Sequence, residues 1–205
     1  MIVQGTQEWF DSRLGKVTAS RIADLMATGK TGGESVSRAN YKMQLVCERL
    51  TNSKEETYTN ASMATGTERE PLARNAYELL NGVLVHEVAF INHPTIKMAG
   101  ASPDGVVGDG LIEIKCPQQN THGNTLKDQK IPTKYQYQMN WQMACTGALW
   151  NDFVSYNPTF PEHLQLCIIR LHRDDVIIKN LENAVIAFLD EVEEEVNIFN
   201  KLKGN

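Results

Sequence analysis

One glycine-punctuated stretch limits what this chain can fold into more than any other. From Ala101 to Pro117 it reads A-S-P-D-G-V-V-G-D-G-L-I-E-I-K-C-P. Gly108-Asp109-Gly110 is a turn signal. The run from Leu111 to Cys116 that follows, with two isoleucines and a closing Pro117, predicts a strand. A period of two puts Glu113 and Lys115 on one face and Ile112 and Ile114 on the other. The glycines at 105, 108 and 110 let Asp104, at the end of the preceding strand, return toward the first face. Asp104, Glu113 and Lys115 are thus expected to converge.

Two carboxylates ~4 Å apart repel by roughly 4 kcal/mol at an effective dielectric near 20, so they demand a neutralising partner. A hard divalent cation is the natural one. Mg²⁺ keeps several waters and commonly uses one or two carboxylates plus substrate phosphates. Held by Asp104, Glu113 and the main-chain carbonyl of Ile114, it would lower the pKa of a bound water and stabilise a pentacovalent phosphate. Lys115 would orient that water or help deprotonate it. An ordinary surface hairpin carrying a Glu-Lys pair has the same spacing, so the flanking sequence must decide.

Pro103-Asp104 followed by Glu113-Ile114-Lys115 matches the PD-(D/E)XK nuclease signature. Further blocks are W-F-D-S-R-L-G-K-V-T-A-S from Trp9 to Ser20, G-T-E-R-E-P-L-A-R from Gly66 to Arg74, and Y-Q-Y-Q-M from Tyr135. In this order they resemble the phage lambda-type exonuclease (viral alkaline exonuclease, viral recombinase) branch of that superfamily, over most of the chain. The resemblance implies an α/β fold, a central mixed β-sheet flanked by helices with a restriction-endonuclease-like core. It implies a Mg²⁺-dependent 5′-to-3′ exonuclease, with Mn²⁺ able to substitute and two ions per site. The substrate would be linear double-stranded DNA with 5′-phosphorylated ends. The products would be mononucleotides and a single-stranded 3′ overhang for recombination by strand annealing. A homotrimeric ring, a single-strand annealing protein as partner, and a phage or prophage origin with action in the bacterial cytoplasm are implied with it.

The same resemblance implies residue roles. Arg13 and Ser20 match residues that hold the 5′-terminal phosphate, with Ser102 a further candidate. Glu70 matches an acid at the metal centre, as an outer-shell or second-metal ligand. Met63 matches a position that wedges between the parting strands. Gln138 would hydrogen-bond the attacking water or the scissile phosphate, and Tyr135 would hold the DNA backbone or the lysine. Two other readings stay open. A restriction-type or junction-cleaving endonuclease would use the same metal chemistry, and a catalytically silent DNA-end-binding module would need none of it.

The rest of the chain supplies the frame. With 205 residues and 41% hydrophobic content, one nuclease domain spanning 1–205 is expected. No run of about 18 apolar residues and no basic-then-apolar leader is present, which predicts a soluble, non-exported protein. The four cysteines lack metal-ligand spacing and read as reduced core residues. The net charge is −5, but residues 1–150 carry 15 basic and 15 acidic side chains against 5 and 10 for residues 151–205. The excess acid is therefore all C-terminal, and composition permits DNA binding without arguing for it.

Helices are expected over Thr6 to Leu14, from Thr18 or Ser20 onward with Ile22, Leu25 and Met26 inward, over Tyr41 to Leu50, over Pro71 to Leu80, and over Pro132 to Cys145. The N-terminus of the second helix, with Arg13 and the hydroxyls of Thr18 and Ser20, is a ready phosphate site. Thr28 to Ser37 reads as a loop in which Lys30 or Arg38 touches DNA backbone. Val83–Ile91 and Ile96–Val107 are expected to form a meander with 111–116, Trp150–Tyr156 and Leu164–Leu171 two more strands. Asp174 or Asp175 opens a long terminal helix with Leu181, Val185, Phe188, Val192, Val196 and Phe199 inward and a solvated acidic face.

Overall fold

The computed structural model describes residues 4–30, 32–54 and 61–202. Helix α1 (Gln7–Arg13) is capped by Thr6, whose hydroxyl accepts the Trp9 N–H, and the chain leaves it through Gly15 at φ +66°. The next helix is shorter than its sequence promises. Val17 and Thr18 are taken as strand β1, a 3₁₀ turn covers Ala19–Arg21, and α2 is only Ile22–Met26. A tertiary pairing explains this: Val17 and Thr18 lie parallel to Ala99 and Gly100, and the sheet claims residues that local propensity would leave to the helix.

Helix α3 (Val36–Thr51) starts on a Ser35 cap, so the expected loop ends before Val36. Helix α4 runs from Ala61 to Asn81 with Pro71 inside it, and does not begin at Pro71. Proline costs one backbone donor, and the helix formers Glu68, Arg69 and Glu70 before it with Leu72 and Ala73 after it carry the helix through. Ala73 and Tyr77 are buried, whereas Leu72 and Leu80 are 51% and 69% exposed.

The strands β2 (Ile91–Asn92), β3 (Ala99–Ala101), β4 (Gly105–Val107) and β5 (Gly110–Lys115) follow. Between β5 and β6 (Trp150–Tyr156) stand α5 (Gln119–Asp128) and α6 (Thr133–Thr146), and β7 (Leu166–His172) and α7 (Asp175–Lys201) complete the chain. Two sheets result, with orders β1-β3-β2 and β4-β5-β6-β7. In the larger, β5 is antiparallel to β4 and parallel to β6, and β7 is antiparallel to β6. The fold is therefore α/β with mixed sheets flanked by helices. The expected meander is split: only β4 pairs with β5, while β3 belongs to the smaller sheet. Ser102-Pro103-Asp104 separates them, and a proline cannot donate to a ladder. Across 83–90 the only sheet pairing among the described residues is an isolated bridge from His86 to Val106.

Helices pack on both faces of the large sheet. On one, Ala73 and Tyr77 of α4 meet Ile112, Ile114 and Val154. On the other lies the main core, where Trp141 and Met143 of α6 meet Tyr41 and Leu45 of α3 and Leu181, Val185, Phe188 and Val192 of α7. Phe199 and Leu50 are exposed instead, each in the last turn of its helix. The acidic face of α7 is not wholly solvated. Glu191 accepts from Arg38 (2.6 Å) and Lys42 (3.1 Å), and Glu193 from Arg49. Arg38 thus belongs to the α3–α7 seam and not to a DNA-contacting loop.

His93 ties this core to pH. Its Nδ1 accepts the N–H groups of Thr95 (3.3 Å) and Ile96 (3.1 Å), and its ring stacks on Trp141 at 5.0 Å. Burial pushes its pKa below the ordinary 6.5, with Glu182 opposing. A folded pKa below the unfolded one means the unfolded chain takes the proton first, so the stabilisation is present above pH ~6.5 and is lost as pH falls below it. The Tm should fall between pH 7 and 5, and by less in His93→Gln. Parallel Tm profiles for the two would remove His93 as the source.

Candidate active site

Strand alternation decides which face of β5 does what. Ile112 and Ile114 are buried against α4, which turns Glu113 and Lys115 toward α6. Asp104 stands just before β4, where the chain re-enters the sheet. Its N–H donates to the Ile112 carbonyl (3.2 Å) and its Oδ2 accepts the Ile114 N–H (2.7 Å). Since the N–H and C=O of one strand residue leave on the same edge, the Ile114 carbonyl also points to the Asp104 side, past Gly105 where β4 begins. Asp104, the Ile114 carbonyl, Glu113 and Lys115 thus gather at one end of β5.

Glu113 is 1% exposed, and each of its oxygens is held. Oε1 accepts the Lys115 ammonium and the Gln138 amide (2.6 Å), while Oε2 accepts the Gln142 amide (2.5 Å). The Lys115 ammonium lies 5.4 Å from the centre of the Tyr135 ring, which itself stacks on Phe153. Glu70 reaches the same neighbourhood from mid-helix, not from a helix start, and is held by Arg74 at 2.9 Å, one turn along α4. Arg74 also donates to Glu87 (2.6 Å) and to the Asp104 carbonyl (3.4 Å).

These groups perturb one another strongly. Burial, then the Glu113 charge, pushes the Asp104 carboxyl well above its usual range. Burial also raises Glu70, with Arg74 and Lys115 opposing. Burial pulls the Lys115 ammonium down, but Glu113 and Asp104 outweigh it and the net shift is upward. Acids that resist ionising side by side and share a single ammonium fit a site for a hard cation. Among the described residues no group of three or more His, Cys, Asp or Glu side chains is placed to hold a metal ion. Asp104, Glu113 and the Ile114 carbonyl still offer two carboxylates and a carbonyl, oxygen donors of the kind Mg²⁺ takes alongside water and phosphate.

The residues matched to the 5′-phosphate site form two adjoining pairs. The Arg13 guanidinium stacks 4.0 Å from the Trp9 ring and approaches the Ser102 hydroxyl at 3.4 Å, and the Trp9 indole N–H donates to the same hydroxyl at 3.0 Å. Burial lowers the Arg13 pKa to about 10. Thr18 and Ser20 bring their hydroxyls within 3.5 Å, and the Tyr41 hydroxyl accepts the Thr18 N–H at 3.1 Å. The β1–β3 register sets Thr18 beside Gly100, so the two pairs follow at the same ends of neighbouring strands and lead, through Pro103, to Asp104. α2 is only five residues long, so the expected helix dipole is short, and the structure instead sets hydroxyls and a guanidinium side by side here. Met63 lies in α4, but its side chain is outside the described residues.

Two residues that sequence reasoning passed over bear on the site. Arg74 controls Glu70 and is visible in the sequence only as an i,i+4 partner. Gln142 grips Glu113, and its signal was the i,i+4 spacing from Gln138.

A family model for the YqaJ-like viral recombinase domain matches residues 8–149. An alkaline exonuclease (LHK-Exo) from Laribacter hongkongensis is similar at 49% identity and a TM-score of 0.90, covering 97% of this chain and 98% of that one. Its complex with dAMP gives a TM-score of 0.91 at the same identity and coverage. A phage-related exonuclease from Haemophilus somnus shares the fold, with a TM-score of 0.70 at 12% identity over 90% of this chain and 96% of that one. No curated protein matches the chain.

Proposed function

This chain belongs to the YqaJ-like viral recombinase family and is a DNA nuclease, and from that premise we propose that it is a Mg²⁺-dependent 5′-to-3′ exonuclease of double-stranded DNA ends. It digests one strand from a 5′-phosphorylated end, releases mononucleotides and leaves a 3′ overhang for strand annealing. The observation that carries this reading is the convergence of Asp104, Glu113 and Lys115 at the end of β5. The Laribacter exonuclease was solved with dAMP, which supports a mononucleotide product.

Asp104, Glu113 and the Ile114 carbonyl would hold the ion, with Glu70 serving a second ion or the outer shell. A divalent cation there lowers the pKa of bound water and offsets charge on the phosphate, and Mn²⁺ would substitute. Lys115, anchored on Glu113 and faced by Tyr135, orients the attacking water. Gln138 holds the Glu113 oxygen nearest the lysine and keeps an acceptor free for that water. Arg13, Ser102, Ser20 and Thr18 take the 5′-phosphate, and that grip sets the scissile bond one nucleotide away against Asp104.

A homotrimeric ring, a single-strand annealing partner and action in the bacterial cytoplasm as a phage or prophage product complete the proposal, with residues 1–205 as one nuclease domain. A ring that encloses DNA needs little cationic surface to stay on it, which accords with the net charge of −5. No helix among the described residues is long and apolar enough to cross a membrane.

The test is a linear duplex with 5′-phosphate or 5′-hydroxyl ends, with and without chelator. Release of acid-soluble nucleotides should require the metal and favour the phosphorylated end. Arg13→Ala should erase most of that preference, because a charge-assisted contact is worth ~1.5–3 kcal/mol, or about 10–150-fold. An unchanged preference would return Arg13 to an ordinary stacked cation, and rapid cutting of covalently closed circles would make the protein an endonuclease.

A further inference from the structure

Gln138 and Gln142 stand one turn apart on α6, and their amides take opposite oxygens of the Glu113 carboxylate. Gln142 is not the end of the chain of contacts. Its Oε1 accepts the Nδ2–H of Asn151 at 2.7 Å, and Asn151 sits on β6 opposite Leu111, two residues before Glu113 and on the same face of the sheet. Both amides are 0% exposed. We propose that Asn151 and Gln142 are positioning residues, a buried amide relay that fixes the orientation of the Glu113 carboxylate for the metal. The proposal rests on the reading of Glu113 as a metal ligand.

The argument is one of polarity. A primary amide offers a donor on one side and an acceptor on the other, and turning it over exchanges them. An ionised carboxylate only accepts, so Gln142 must present Nε2 to Glu113 and is left with Oε1 facing β6. Something on β6 must then donate. Asn151 does so, and by occupying Oε1 it prevents the Gln142 amide from turning over. The orientation of Asn151 is fixed in the same way, at a cost: its Oδ1 is buried with no hydrogen-bond partner. An apolar pair at these two positions would secure α6 to the sheet without that orphaned acceptor. A purely structural role therefore explains the burial but not the choice of amides, whereas a carboxylate that must be aimed explains both.

Calorimetric titration of the DNA-free full chain with Mg²⁺ or Mn²⁺, alongside its Tm, tests this. Asn151→Asp places an acceptor against Gln142, turns its amide over and faces Oε1 toward Glu113. The Kd for the ion should rise about 10–100-fold, the usual effect of removing an outer-shell partner. Gln142→Met keeps the volume and removes the amide, and should weaken the ion about tenfold; it carries the test if Asn151→Asp does not fold. In the Gln142→Met background, Asn151→Asp should add no further loss of metal affinity, because Asn151 reaches Glu113 only through Gln142; a further loss of about tenfold would overturn the relay. If Glu113→Ala weakens the ion but Gln142→Met binds as the wild type does, the relay is overturned alone. If Glu113→Ala itself binds like the wild type, the metal reading fails and the relay falls with it.

Discussion

Lys115→Ala should lose about 10³-fold or more in the single-turnover rate of nucleotide release while still binding DNA ends and metal. The ammonium is the one cation that bonds directly to a carboxylate of the Asp104–Glu113 pair among the described residues, and positioned acid–base groups contribute ~10²–10⁴-fold. Removing it strips no oxygen ligand from the ion. Glu113 keeps its two amide donors from α6, so its carboxylate stays in place, although a buried charge that loses its partner costs stability. Fluorescence anisotropy of a 5′-phosphorylated duplex would establish that binding persists, and a Tm would establish that the fold does. Turnover within tenfold of the wild type would remove Lys115 from the mechanism.

Glu113→Ala should have the second large effect, on the metal itself. An ion that binds the folded state alone stabilises it by ~2.7 kcal/mol at a hundredfold excess over Kd. At ~2–4 °C per kcal/mol for a chain of this size, Mg²⁺ should raise the wild-type Tm by about 5–10 °C and leave the variant unmoved. The sign is informative. Without an ion, Glu113 is one of the charges that push Asp104 upward, so removing it relieves an acid even as it unpairs Lys115. An equal Mg²⁺-induced rise in both proteins would exclude Glu113 as a ligand.

The parts of the site that were legible in the sequence are those governed by short-range periodicity. Strand alternation placed Glu113 and Lys115 together on one face, whereas Tyr135 and Gln138 were reached only through the family resemblance and stand beside that pair in the structure. Fold elements failed where a distant segment overruled local preference. Val17 and Thr18 became strand because Ala99 and Gly100 pair with them, and no local signal carries that information. Residues 96–107, expected as one strand of a meander, split between two sheets because Pro103 interrupts the ladder. Glu70 was placed at a helix start because Pro71 favours that position, yet it lies mid-helix, where Arg74 and not the dipole meets its charge. The connection 116–134 showed no strong apolar period and hid α5, whose burial is carried by His122 and Thr125. His122 bonds Ser155 and the Leu164 carbonyl, partners that only the completed sheet supplies.

The parallel neighbour of β5 lies beyond residues 116–149, a crossover that includes α5 and α6. A hairpin can zip from its turn, but a parallel pair has to wait for the whole connection. During synthesis the β4–β5 hairpin can leave the ribosome carrying its acid and lysine while the amides that steady them and the strand that flanks them are still unmade. A nascent or prematurely terminated chain that stops short of Trp150 lacks the parallel neighbour of β5 and the Asn151 amide that meets Gln142.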